Sequence, residues 1–346
     1  MRSCAGMEDV IMVTYFITGG AGFIGSNFIH YLFQKYGNKA EVINLDLLTY
    51  AGNPDNLKEI EGFPNYHFVK GDICNRKLTE KIMADYDIDY VVHFAAESHV
   101  DRSIEDAGVF VQTNMTGTLN LLNCAKKAWE STDGYKSGRR FLYISTDEVY
   151  GELDREGYFT EESPLSPRNP YSVSKAGGDM MCGAFYETYQ FPVIRTRCSN
   201  NFGPRQFTEK LIPLYINNCF HNKKLPVYGD GSAVRDWIYV TDHCKAVDLI
   251  LYQGKPGEVY NIGAHNEKTT LEIAGIIADI LNREYNYNIP KDCISHVPDR
   301  KGHDRRYAID PARIHKELGW TPETSFEDGI RSTIAWYQKA NEHERL

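Results

Sequence analysis

Gly19-Gly20-Ala21-Gly22-Phe23-Ile24-Gly25 follows the apolar run Met12-Val13-Thr14-Tyr15-Phe16-Ile17-Thr18 and opens a helical pattern that continues to about Tyr36. The run reads as a buried strand and the glycines as a strand-to-helix turn. Such a turn lets backbone N–H groups approach a pyrophosphate closely, at the positive end of a helix. A glycine-rich turn alone is a weak signal. Here Asp46 ends the next strand-like run, roughly 20 residues on, where a carboxylate bonds ribose hydroxyls.

A 2′-phosphate would meet the Asp46 charge unfavourably, and no Arg follows immediately, so NAD is expected rather than NADP. Moving outward, strands are predicted over 41–46, 66–69, 89–94, 140–145 and 191–196, with helices over 108–129 and around Tyr171. Strands alternating with helices of this length imply βαβ units. The fold class is therefore α/β: a Rossmann-type doubly wound parallel sheet with a smaller C-terminal α/β substrate domain. After Asn200, Pro204, Pro213, Pro226 and Gly229-Asp230-Gly231 break the alternation. Short strands (225–228, 237–240, 258–262) and helices (242–252, 271–281) are expected there. The division is placed at 12–200, for cofactor and catalytic residues, and 201–340, mainly for substrate, with elements of the second part free to return to the first.

The 346 residues are 42% hydrophobic and 25% charged, ordinary for a globular chain. A net charge of -9 without a Lys/Arg cluster argues against nucleic acid as a partner, and an anionic substrate would need a local basic pocket. No apolar run reaches the roughly 18–20 residues of a membrane span. The stretch 1–10 has no apolar core, so it is not read as a secretory signal, and Met7 or Met12 are alternative starts to Met1. The eight cysteines are scattered, with neither CxxC nor Cys/His metal spacing, so no metal is expected and a cytoplasmic enzyme is the default.

Two acid-base sets stand close in sequence. Tyr171 and Lys175 share a helix face, and the ammonium is expected to lower the phenol pKa from about 10 towards neutral. Such a phenolate can take a proton from a sugar hydroxyl while hydride leaves the same carbon. Thr146 (or Ser145), at a strand end, would hold that oxygen. Asp147 and Glu148 follow directly, and two carboxylates in one cleft tend to keep one protonated and one ionised. One can donate a proton to a leaving hydroxyl while the other removes a carbon-bound proton. Asp72 and Ile73 follow the third strand and Phe94, Ala95 and Ala96 the fourth, where ligands bind in open sheets; Asp72 would reach the adenine amino group.

Ordered strings run through the chain: TGGAGFIGSNF (18–28), LTYAGN (48–53), AAESHVDRSI (95–104), STDEVYG (145–151), YSVSK (171–175), RCSNNFGP (197–204), EKLIP (209–213), YGDGSAVRDW (228–237), YNIGAHNEK (260–268) and GHDRRYAID (302–310). With these the chain resembles the extended short-chain dehydrogenase/reductase family of nucleotide-sugar enzymes, and within it the dTDP-glucose 4,6-dehydratases, over about 13–337. The resemblance implies retained NAD and a three-stage reaction: C4 oxidation begun by Tyr171, loss of water with Glu148 taking the C5 proton and Asp147 protonating the C6 hydroxyl, then reduction at C6. It implies NAD contacts from Gly19, Gly22, Phe23, Ile24, Gly25, Asp46, Leu47, Leu48, Thr49, Asp72, Ile73, Phe94, Ala95, Ala96, Ser98, Thr113, Tyr171, Lys175 and Asn201. It implies nucleotide-sugar contacts from Ser98, Thr146, Asn200, Lys210, Leu211, Pro226, Val227, Tyr228, Arg235, Thr270, Asp299, Arg300, Lys301, Gly302 and His303.

Thr270 stands where family members often carry Asn. Arg235 supplies positive charge for a diphosphate; the competing reading is an ion pair with Asp236 or another acid. A homodimer built from cofactor-domain helices is also implied. Related 4-epimerases or decarboxylases need no Asp147-Glu148 pair, a UDP- or CDP-glucose dehydratase stays open, and a non-enzymatic NAD sensor should have lost part of the acid-base set.

Overall fold

The computed structural model describes residues 12–154, 156–290, 292–299 and 304–344. Its largest sheet has seven strands in the order Val259–Ile262, Val193–Cys198, Arg140–Thr146, Tyr90–His93, Val13–Thr18, Ala40–Asp46, Tyr66–Lys70. Every neighbouring pair is parallel. Parallel strands need both faces covered, and two apolar layers provide this. One holds Phe28, Ile29 and Leu32 of the Phe23–Tyr36 helix with Val247 and Ile250 of the Val240–Gln253 helix. The other holds Leu121 and Leu122 of the Thr118–Trp129 helix with Cys182 and Phe185 of the Pro170–Tyr189 helix. The strand order reverses beside Val13–Thr18, so the carboxyl ends there frame the crevice where open α/β sheets bind ligands.

A third apolar cluster lies in the later part of the chain, around the Leu211–Phe220, Thr270–Glu284 and Phe326–Glu344 helices. That part also returns to the large sheet: Val259–Ile262 pairs with Val193–Cys198 as its outer strand. No described helix is long and apolar enough to cross a membrane.

The helix expected over 108–129 is not uniform. Ala107–Phe110 is α-helical, Val111–Gly117 widens into a π-helix, and Thr118–Trp129 is α-helical again. Tertiary bonds hold the wide turn. The Asn114 amide donates to Glu97 O and Ser174 Oγ (2.9 and 2.8 Å) and accepts from Glu97 N–H (2.9 Å). Such π segments cluster at functional sites. The Arg76–Asp85 and Phe326–Glu344 helices were not expected, since polar residues interrupt their apolar stripes. Arg76–Asp85 buries only Thr79, Ile82 and Met83, and an Asn75 side-chain cap starts it.

Candidate active site

The glycine turn leads into a cavity of roughly 210 Å³ at the carboxyl ends of the central strands. Gly19 has φ +74, and a Cβ there would lie 2.6 Å from Ala95 Cα. A Cβ at Gly25 would collide with the Gly19 carbonyl oxygen. Both glycines thus keep backbone open where a pyrophosphate must approach. Asp46 is buried, and its two oxygens accept from Ala21 N–H (2.9 Å) and Leu48 N–H (2.8 Å). Burial pushes its carboxyl up while those two N–H groups pull it back. The carboxylate is therefore pre-aimed into the cavity, as ribose recognition requires.

Gly22, Phe23, Ile24, Leu47, Thr49, Asp72, Ile73, Phe94, Ala95, Ala96 and Thr113 line the same cavity, so these residues fit a dinucleotide. Leu48 does not line it; its backbone, at φ 57, is spent on Asp46. Ser98 and Asn201 lie instead in the second cavity described below.

Asn169 caps the helix that carries Tyr171 and Lys175 through a capping box with Ser172. Tyr171 is buried, and burial, with Glu148 next, pushes its phenol well above its usual range; only the Thr146 hydroxyl pulls it down appreciably. The expected fall of the phenol towards neutral is therefore not met, since burial outweighs what pulls it down. The Lys175 ammonium donates to Ile144 O (2.6 Å) and sits 4.4 Å from the Tyr143 ring centre. Burial lowers Lys175 to about 8. Desolvation outweighs one neighbouring charge when both groups are inside.

Thr146 ends the Arg140–Thr146 strand, and Asp147 and Glu148 lie in the tight turn after it. The two carboxyls have different surroundings. Burial, then Glu148 and Asp236, push Asp147 up to about 8. Its Oδ1 accepts from the Thr146 hydroxyl (3.2 Å), and its Oδ2 is buried without a hydrogen-bond partner among the described residues. Glu148 is also raised by burial, but Arg235 and a bond from Asn169 Nδ2 (3.3 Å) oppose this. Asp147 is the better proton donor near neutral pH and Glu148 the better acceptor.

Glu148 opens into the second cavity, of roughly 290 Å³, whose wall includes Ser98, Asn200, Lys210, Leu211, Pro226, Tyr228, Arg235 and Thr270. Arg235 is fixed by donation to Val234 O (2.8 Å) and Asp304 O (2.7 Å), and it stacks 4.3 Å from the Tyr307 ring centre. Asp236 is turned away, accepting from Ala264 and Asn266 N–H, so the Arg235–Asp236 ion pair is not formed. Val227 differs from expectation: strand alternation aims Pro226 and Tyr228 at the cavity and buries Val227 in the apolar cluster behind. Asp299 lies beside Gly229, and Arg300, Lys301, Gly302 and His303 fall outside the described residues.

A sequence model of the GDP-mannose 4,6 dehydratase family matches residues 16–333. The chain belongs to the GDP-mannose 4,6 dehydratase family. The dTDP-glucose 4,6-dehydratase of Xanthomonas campestris pv. campestris is 48% identical over 330 residues, covering 94% of this chain and 93% of the relative. The solved dTDP-glucose 4,6-dehydratase of Bacillus anthracis, in complex with NAD, matches with a TM-score of 0.86 and 48% identity over 95% of this chain and 98% of that one. The Streptomyces venezuelae enzyme of the same name, with NAD and TYD bound, matches with a TM-score of 0.87 and 45% identity over 96% and 98%.

This GDP-mannose 4,6 dehydratase family member carries further site residues that sequence reading passed over. Asn169 was legible as a cap, since Asn-Pro precedes the helix, yet its bond to Glu148 depends on the tertiary fold. Asn114, Glu209 and Tyr307 meet the site only through folding; Glu209 and Tyr307 lie in the strings 209–213 and 302–310, but nothing local in those strings aims them at the site.

Proposed function

We infer that the chain converts dTDP-glucose to dTDP-4-dehydro-6-deoxy-glucose and water, as an NAD-dependent hydro-lyase. The observation that carries this reading is the adjoining pair of a buried Asp147 and a half-buried Glu148 at the cavity wall. It adds an acid pushed up to about 8 by burial, and a carboxyl whose rise Arg235 and Asn169 oppose, to a Tyr171–Thr146 pair that alone suits C4 chemistry. The dehydratase names of the similar enzymes support the same reading.

Bound NAD supplies a two-electron acceptor that is restored within each turnover. Tyr171 would take the proton of the C4 hydroxyl as its phenolate, a form the buried phenol reaches only with positive charge beside it, from Lys175 and the bound cofactor, and the Thr146 hydroxyl would hold the same oxygen. Lys175, still mostly protonated at pH 7 with its pKa near 8, is the cation one helical turn from the developing phenolate. The C4 ketone acidifies C5–H, Glu148 takes that proton, and Asp147 gives its own to the C6 oxygen as it leaves as water. The electron pair from C5–H forms the C5–C6 double bond. The later reduction at C6, with a proton returned to C5, leaves no net redox change. Arg235 and Lys210 would face the diphosphate, with Thr270 near the base.

We place the protein in the cytoplasm and assign it a homodimer. Val111 on the π segment and Val173 and Met180 on the Pro170–Tyr189 helix support the dimer, because all three are exposed apolar side chains on adjoining helices. Incubating the NAD-loaded protein with dTDP-glucose should yield a 4-keto sugar, read by its absorbance in alkali, and faster than with UDP- or CDP-glucose. Tyr171→Phe should form no NADH, whereas Glu148→Gln should accumulate NADH while product stalls. Full product at the normal rate from Glu148→Gln would remove the role given to Glu148.

A further inference from the structure

Behind the site lies a buried polar network. Asp179, fully buried, sits two turns past Tyr171 and one turn past Lys175 on the same helix. Arg197, on the Val193–Cys198 strand, grips it in two bonds, Nε to Oδ2 (2.9 Å) and Nη2 to Oδ1 (3.0 Å). The third guanidinium nitrogen, Nη1, donates to the Tyr150 hydroxyl (2.9 Å). Tyr150 belongs to the tight turn Asp147–Tyr150, two residues past Glu148. Its hydroxyl donates onward to Asn261 Oδ1 (2.8 Å) on the Val259–Ile262 strand. Its ring lies 4.8 Å from the Arg197 guanidinium carbon and stacks on Phe159 (5.0 Å).

We propose that the Asp179–Arg197–Tyr150–Asn261 network positions the two acid-base sets against each other, with Arg197 and Tyr150 as positioning residues for the dehydration step. This rests on the dehydratase reading above. Tyr171 and Lys175 ride on a long capped helix that packing already holds. Asp147 and Glu148 ride on a single turn with a glycine at its end, Gly151 at φ +90. Val149 and Tyr150 of that turn pack beside Ala176 of the helix, and its hydrogen bonds to other segments include Asn169 to Glu148, Ser166 N–H to Val149 O and those of the Tyr150 hydroxyl. The network ties it to the helix through one planar guanidinium, whose fork geometry allows little play. A displacement near 1 Å at a proton-transfer group is enough to slow its step about a hundredfold. A loosened network should therefore harm the carboxylates' step and spare the Tyr171 step.

The two steps can be read separately. In single turnover with NAD-loaded protein and dTDP-glucose, NADH absorbance reports C4 oxidation and alkali absorbance reports product. Tyr150→Phe keeps the ring and removes both bonds of its hydroxyl; Arg197→Lys keeps charge and removes the fork. Each should oxidise C4 at a rate within about threefold of the parent, and make product at least tenfold more slowly with NADH building up. Thermal melting shows which variant is folded, and either folded variant decides. A merely structural role would lower both steps together, or leave both unchanged with only a lower melting temperature; either result overturns the proposal. If the parent protein itself forms neither NADH nor product, the dehydratase reading falls and this inference falls with it.

Discussion

At the scale of single residues, Asp147 shows how burial sets a chemical role. Its folded-state pKa of about 8 lies far above the roughly 3.9 of an exposed Asp. Between those values the folded chain holds a proton that the unfolded chain has released, so stability falls as pH rises through that window. Asp147→Asn removes the penalty. It should raise unfolding free energy at pH 8 by about 1–3 kcal/mol, with a much smaller gain at pH 5, while slowing product formation. Urea unfolding at the two pH values checks this, and an equal gain at both would be inconsistent with a protonated Asp147. The residue types were legible in sequence, since an acid and a base beside Thr146 point to elimination of water. Which carboxyl keeps the proton was not legible. That depends on Arg235 and Asn169, which folding brings to Glu148 from distant segments. Lys175 makes the same point: its spacing from Tyr171 is local, but its bond to Ile144 O is tertiary.

At the scale of elements, the turn between Val13–Thr18 and Phe23–Tyr36 carries the cofactor reading. Gly25→Ala would drive a methyl group into the Gly19 carbonyl and force the turn outward. NAD affinity of cofactor-stripped protein should drop by about tenfold or more, with the circular dichroism spectrum unchanged. Calorimetric titration tests this, and wild-type affinity would place the pyrophosphate elsewhere. The central strands could be read from composition because strands buried on both faces are almost continuously apolar. The π-helical Val111–Gly117 could not, since its extra width follows from Asn114 bonding across to Glu97 and Ser174. The Val227 side chain is buried for an elementary reason: three consecutive strand residues cannot all face one cavity.

At the scale of the molecule, Val173 and Met180 lie seven residues apart on one helix, hence on one face, and both are exposed, at 49% and 62%. If the proposed homodimer uses this face, replacing Val111 and Met180 together with Lys should give monomers, seen as a halved mass in analytical ultracentrifugation. A dimer that survives would put the interface elsewhere. Molecular scale also explains how the chain is partitioned. Its later part builds the third apolar cluster yet lends Val259–Ile262 to the large sheet and the Val240–Gln253 helix to its face.

By itself, the sequence determined the parallel α/β architecture, the dinucleotide turn with its acidic partner, and the residue types of both acid-base sets. These are encoded in local apolar periodicity, in glycine spacing and in neighbouring side chains. Only the tertiary structure decided how unequally burial and neighbours act on the two carboxyls, where Lys175 points, which face of Leu225–Tyr228 lines the cavity, and how the acidic turn is tied to the Pro170–Tyr189 helix. The physical reason is common to all four: each depends on desolvation or on hydrogen bonds between segments far apart in the chain, and no local pattern carries that information.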